Sequence, residues 1–406
     1  MHVLLVEPAF PSNQREFARA LSKVGARVTG IGEAPLDALD DQLKSWLHGY
    51  EQVGSVVNEA ALLHAVRRCQ KRERVDRLEA TVEAHIMPTA HVREKCGIPG
   101  TSVRTSFLCR DKPAMKQALR EAGVPCAQSD GVSSTDELKA FARNVGLPII
   151  VKPRDAAGAQ ATYRVDETKD LDRVASEMGL DHGASAAAEE FIEGHEAFYD
   201  TITRDGEVVH EFITHYYPTV LEGMRKRWIS PQFIATNRMN ADAYEEVRRL
   251  GKQVIDALGI GTSATHMEWF FGPKGLKFSE IGCRPPGVGA WDVYCAANEM
   301  DLYAEWARAI TGQSPAERPS RKFAAGMIAL RPNRDGRIAG YEGLDRLERD
   351  FGRWIVDRRF PAPGSPTGPV EAGFMANAWM RMRHPDYDEL RRMLNWVGEN
   401  VRVFAE

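Results

Sequence analysis

Two apolar runs, His266 to Phe271 and Leu276 to Ile281, flank Gly272-Pro273-Lys274-Gly275, and this pairing restricts the fold more than any other stretch. Proline at the first loop position and glycine at the third suit a three-residue hairpin loop, a type I turn closed by a left-handed glycine. Such a loop sets Gly272 opposite Leu276, and counting back along both strands sets Glu268 opposite Glu280. The two carboxylates then share one face, with Cβ atoms roughly 5 Å apart. A slip of one residue would part them, so the turn chemistry decides whether an acidic pair exists.

Like charges placed directly opposite destabilise a sheet, and carboxylates withdrawn from water need a partner. A hard divalent cation such as Mg²⁺ (or Mn²⁺), shared with phosphate oxygens, is one answer. Two solvated acids on an exposed hairpin face are the other. Arg284, four residues beyond Glu280, adds a planar cation suited to phosphate or carboxylate.

The first hundred residues alternate between strand and helix patterns. His2 to Val6 reads as a buried strand, Arg15 to Val24 as a helix, Arg27 to Ile31 as a strand and Leu36 to Leu47 as a helix. A strand over Gln52 to Val57, a helix over Ala60 to Cys69 and a strand over Val75 to Val82 follow. This alternation predicts a parallel sheet covered on both faces, an α/β domain over 1–109. It contains no G-x-G-x-x-G fingerprint, so no motif supports dinucleotide binding.

A second unit, 110–315, opens with Asp111-Lys112-Pro113, where Asp111 caps a helix that Gly123 stops. Ala114-Met115-Lys116 resembles a biotin-attachment tripeptide, but a helix start lacks the exposed hairpin such a site needs. Leu147 to Pro153 reads as a strand with Lys152 near its end. The small residues of Arg154 to Thr162, with Gly158 among them, form a loop whose backbone N–H groups can approach phosphate; a plain hairpin loop is the simpler reading. Glu189-Glu190-Phe191-Ile192-Glu193-Gly194-His195-Glu196 leads into another strand. Arg225-Lys226-Arg227 sits in an irregular stretch and reads as a solvated basic loop or a phosphate or carboxylate contact. Residues 316–406 read as a small β-rich C-terminal unit closed by a helix over Tyr387 to Val397.

Composition excludes several classes. With 43% hydrophobic and 27% charged residues and a net charge of −4, the chain has neither a nucleic-acid binder's basic excess nor a polybasic membrane patch. Its first apolar run, Val3 to Val6, is too short for a signal peptide, and no stretch reaches a membrane-spanning length. Six scattered cysteines without a C-x-x-C pair read as reduced thiols, which places the chain in the cytoplasm.

The order of these motifs resembles the ATP-grasp superfamily over roughly residues 1 to 315: Asp-Lys before a helix, Val-Lys-Pro before a small-residue loop, Glu-Glu-Phe-Ile-x-Gly-x-Glu, and the acidic hairpin ending Glu-Ile-x-x-Arg-x-x-Gly. The resemblance implies an ATP-grasp fold, α/β and α+β, with a preATP-grasp-like N-terminal domain, a small lobe at 110–188 and a central lobe at 189–315. It implies ATP bound by Lys112 and Lys152, covered by the Gly158 loop, read at its base by Glu189, Glu190 and Ile192 and at its ribose by Glu196. It further implies Mg²⁺ or Mn²⁺ on Glu268 and Glu280, with Arg284 and Lys152 acting on the transferred phosphoryl group.

Where many members carry Glu-Ile-Asn-Pro-Arg, this chain has Gly282 in place of the metal-binding Asn, with Cys283 next. Glu280-Ile-Gly-Cys-Arg284-Pro-Pro-Gly and the C-terminal extension are most similar to the L-amino-acid (dipeptide) ligase group. That similarity implies activation of a small carboxylate as an acyl phosphate and its capture by an amine. Amino acids are the expected substrates and a homodimer the expected assembly. A biotin-carboxylase-like enzyme stands behind this, because the His-x-Glu-x-Gln run of that branch is missing. A nucleotide-binding regulatory protein without turnover is a third reading.

Overall fold

The computed structural model describes residues 1–155, 161–223 and 226–406. Three sheets carry the architecture. The first is parallel, in the order Gly49–Gln52, Arg27–Gly32, His2–Val6 and Arg77–Glu79. Helices Arg15–Lys23, Glu59–Arg72 and Ile86–Lys95 connect and cover it. The third strand ends where the sequence reading began it: Gln52 is its last residue, and Val53 and Val56 are buried from the loop that follows. The helix expected over Leu36 to Leu47 is a 3-10 turn at Leu36–Ala38 and a short helix, Asp41–Trp46, capped by the Asp40 side chain.

The second sheet is antiparallel, in the order Ser129–Val132, Ala186–Glu190, Ile149–Pro153 and Tyr163–Val165, with helices Thr135–Val145 and Leu171–Glu177 against it. The third sheet has eight strands, beginning with Gly275–Gly282, Ser263–Gly272, His195–Arg204, Glu207–Tyr217 and Gln232–Ala235. Ala324–Leu330, Ala378–His384 and Ile355–Arg359 continue it. Residues expected as a separate unit at 316–406 therefore extend the central sheet. The join is Gln232–Ala235 with Ala324–Leu330, a pairing across about ninety residues that no local pattern announces. Among the described residues, no helix is long and apolar enough to cross a membrane.

The hairpin keeps its acids together by an unexpected route. Gly275 takes the left-handed φ of +76° that the turn demands. Near the tip, however, Gly272 lies opposite Gly275, Phe271 opposite Leu276 and Trp269 opposite Phe278, one residue away from the expected register. Trp269 and Phe278 are both buried and meet edge to face at 5.4 Å, and their contact fixes this part of the ladder. A bulge at Ser279 absorbs one residue, so Glu268 faces Glu280 after all. Phe271, two residues beyond the buried Trp269, is exposed near the tip.

Candidate active site

A cleft of about 720 Å³ is lined by both antiparallel sheets and by the helix Lys112–Glu121. Asp111 caps that helix by accepting from Ala114 N–H at 3.0 Å. Lys112 and Lys116, four residues apart, therefore project from one helix face, and both are buried. Lys152 extends from its strand, and Glu189 lies on the neighbouring strand two pairs along, where Ile150 faces Glu189 and Lys152 faces Ala187. Alternation along the strand puts Ile150, Lys152 and Glu189 on one face.

The charges form a connected row. Lys116 Nζ lies 2.7 Å from Glu189 Oε1, and Lys152 Nζ lies 3.0 Å from Glu189 Oε2. Lys152 also reaches Glu280 Oε2 at 3.4 Å, and Lys112 reaches the same oxygen at 3.6 Å. Burial raises the Glu280 carboxyl, but Lys112, Lys152, Lys116 and His266 outweigh it and hold the group down at about 2. Lys116 is pushed down, burial prevailing over its bond to Glu189.

Glu268 faces Glu280 and approaches His266 Nε2 at 3.6 Å. His266 Nδ1 is held by Asp200 Oδ1 at 2.7 Å, and the Tyr294 hydroxyl donates to the other Asp200 oxygen at 2.5 Å. Burial lowers His266, yet Asp200 and Glu268 bring it up to about 9. His266 is thus a hydrogen-bonded neighbour of the acids. Glu196 accepts from Val220 N–H at 2.6 Å, and burial together with the Glu268 charge pushes it up to about 8.

Most of the residues named from the sequence meet here. Lys112, Lys152, Glu189, Glu190, Ile192, Glu196, Glu268 and Glu280 all line the cleft. Apolar walls from Ile150, Phe191, Phe270 and Phe278 give it a face suited to a flat ring. Glu190 sits at the rim, bonded to Lys274 and accepting from Gln128 N–H at 3.3 Å. The Glu193-Gly194 segment passes so close to the hairpin tip that a Cβ on Gly272 would lie 2.0 Å from the Glu193 carbonyl oxygen. Gly158 lies outside the described residues, as does Arg225. Lys226 pairs with Glu222 and Arg227 with Asp335, which agrees with a solvated basic loop.

Arg284 stands at the far side of Glu280. Its Nε donates to Glu83 Oε2 at 2.6 Å and its Nη1 to the Pro285 carbonyl at 2.8 Å. Glu83 comes from the turn after the last parallel strand, and Arg110 bonds it as well. Glu83 and Asp200 carry no motif, and long-range contacts bring them to the site. Lys116 did leave one trace, a lysine one helical turn after Lys112.

Facing carboxylates ringed by lysines thus stand beside an apolar slot in one cleft. Residues 117–299 match the ATP-grasp domain, so the chain carries an ATP-grasp domain and folds as that family does. It is similar to the L-arginine-specific L-amino acid ligase of Bacillus subtilis, 32% identical over 220 residues, or 53% of this chain. That match spans 52% of the relative's length, about half. The formate-dependent phosphoribosylglycinamide formyltransferase of Chlorobaculum tepidum is 25% identical over 397 residues, covering 96% of this chain and 95% of that one. Among solved structures, the L-amino acid ligase of Bacillus licheniformis superposes with a TM-score of 0.78 at 16% identity, over 100% of this chain and 98% of its own.

Proposed function

We propose that this chain is an ATP-dependent carboxylate–amine ligase acting on amino acids or a related small metabolite in the cytoplasm. The observation that carries the reading is Glu268 opposite Glu280, with Lys112 and Lys152 on Glu280 and Arg284 beside it. Relatives named as amino-acid ligases support the substrate class, including an alanine–anticapsin ligase of Bacillus subtilis that is 24% identical over 211 residues.

The paired carboxylates suit a hard cation such as Mg²⁺ or Mn²⁺. Among the described residues no group of three or more His, Cys, Asp or Glu surrounds a metal position, so phosphate oxygens would complete its shell. When bound, such a cation screens the charge of the triphosphate. The chain's residues then divide the remaining work. The apolar slot and the Glu189–Glu196 stretch orient the base and ribose. Lys112 and Lys152 hold phosphate oxygens. Arg284, braced by Glu83, meets the charge of the transferred phosphoryl group.

In the reaction, a substrate carboxylate oxygen attacks the γ-phosphorus and ADP leaves with the bonding electron pair. The amine nitrogen then attacks the acyl carbon, phosphate departs, and the nitrogen releases a proton. Closure of the 110–188 lobe over the 189–315 lobe would exclude water from the acyl phosphate. A second reading keeps the chemistry but changes the acid: the nearly full-length match to formate-dependent formyltransferases makes formate a candidate carboxylate.

Phosphate release from MgATP should be measured with amino acids singly and in pairs, with formate, and with bicarbonate, and the products weighed by mass spectrometry. Release that requires two amino acids, with a new amide mass, is the expected result. Release with bicarbonate alone would overturn the ligase reading in favour of a carboxylase.

A further inference from the structure

We propose that Lys116 is a positioning residue that aims Lys152 at the nucleotide phosphates by acting through Glu189. The inference rests on the ATP reading of the cleft and assigns a role to a lysine outside the expected nucleotide-binding set.

Lys116, Glu189, Lys152, Glu280 and Lys112 form an alternating row of charges, linked at 2.7, 3.0, 3.4 and 3.6 Å. Each Glu189 oxygen serves one lysine. The row is closed at the Lys116 end, where the lysine side chain is 1% exposed, and more open at Lys152 and Glu280, at 13% and 25%. Lys116 sits on the helix capped by Asp111, whose carboxylate also accepts from Arg154 Nε and Nη2 at 2.8 and 2.9 Å. That helix is a fixed point, and Lys152 stands at the end of the strand Ile149–Pro153.

Two ammonium groups on one buried carboxylate repel each other, so the net draw on each is weaker than that of the carboxylate alone. With Lys116 in place, Lys152 is divided between Glu189 and Glu280, an arrangement that leaves its ammonium at the cleft surface. Without Lys116, Glu189 would have one oxygen unpaired in a buried place and would draw Lys152 back from the phosphates. A lysine that merely filled space, or one that read the base, would act differently.

The test is calorimetric titration of K116M, K152M, the double variant and E189Q with ATP, ADP and adenosine. K116M should bind ATP and ADP at least about tenfold more weakly, the scale of breaking a buried charge pair, and bind adenosine as the wild type does. E189Q removes the anion that would draw Lys152 back, so its ratio of ATP to adenosine affinity should stay at or above that of the wild type while the ratio for K116M falls, which guards against a K116M that folds poorly. The double variant should lose no more ATP affinity than K152M alone, because Lys116 acts through Lys152. Equal losses for adenosine and ATP, or additive losses in the double variant, would overturn the proposal. Wild-type protein that binds no ATP would overturn both this and the ligase reading. ATP binding without amide formation would overturn only the latter.

Discussion

Replacing Glu280 by glutamine keeps the side-chain shape and removes one negative charge from the centre of the site. The native carboxyl is raised by burial but held at about 2 by the surrounding cations, against an ordinary value of 4.5. At about 1.36 kcal/mol per unit, that depression corresponds to roughly 3 kcal/mol favouring the ionised form. A group whose folded pKa is depressed contributes stability that is complete above its unfolded value and is lost as pH falls through its folded value. The wild type should therefore weaken from pH 4.5 down to about 2, and E280Q should lack that component. At neutral pH the variant should be less stable by up to about 3 kcal/mol, since Lys112 and Lys152 lose their shared anion. Catalysis should suffer more. Loss of one preorganised electrostatic partner of the reacting group costs about 10²–10³ in rate, so ADP formation should fall at least about a hundredfold. Coupled ADP assays across magnesium concentrations, with urea unfolding on the same samples, measure both effects. Turnover near the wild-type rate with unchanged magnesium dependence would refute the metal and phosphate assignments together.

Other perturbations follow from the same electrostatics. Glu196 is held up at about 8 by burial and the Glu268 charge, so its ionisation opposes folding above the unfolded value of 4.5. E196Q should raise the thermal midpoint at neutral pH while weakening ADP binding; a lower midpoint in a thermal scan would contradict this. His266 is raised to about 9 by Asp200 and Glu268 despite burial, so its contribution is complete below 6.5 and lost as pH rises through about 9. D200N should flatten that alkaline loss in urea unfolding curves, and an unchanged pH profile would count against the pairing. Inserting one residue between Ser279 and Glu280 should carry Glu280 past Glu268 to the opposite face of the ladder and abolish Mn²⁺ binding read by electron paramagnetic resonance; wild-type binding would contradict the role given to the bulge.

The sequence makes the parallel N-terminal sheet and the acidic hairpin legible because both are written in local signals. Strand–helix alternation needs only periodicity, and the facing acids need only a turn and a count. The count reached the right pair through a different register, because the Trp269–Phe278 contact is a packing decision that turn chemistry does not encode. Glu83 and Asp200 were illegible, since each meets its partner across a long stretch of chain. Glu189 shows the limit most clearly. Its motif placed it at the cleft, but the two lysines on its carboxylate depend on how a helix and a strand cross.

The extra residue at Ser279 also separates two jobs along one hairpin. Between the bulge and the tip, the ladder answers to the aromatic contact and to the Glu193-Gly194 segment lying against Gly272. On the other side, Glu268 faces Glu280 and the buried Met267 faces the buried Ile281. Changes of length at the tip are thereby insulated from the acidic pair, while a single-residue gain beside Ser279 would rephase it. Related chains that differ in hairpin length should vary between Gly272 and Gly275 and keep an unchanged count from the bulge to Glu280. Alignments that place gaps by similarity alone will misassign the acid wherever that offset is ignored.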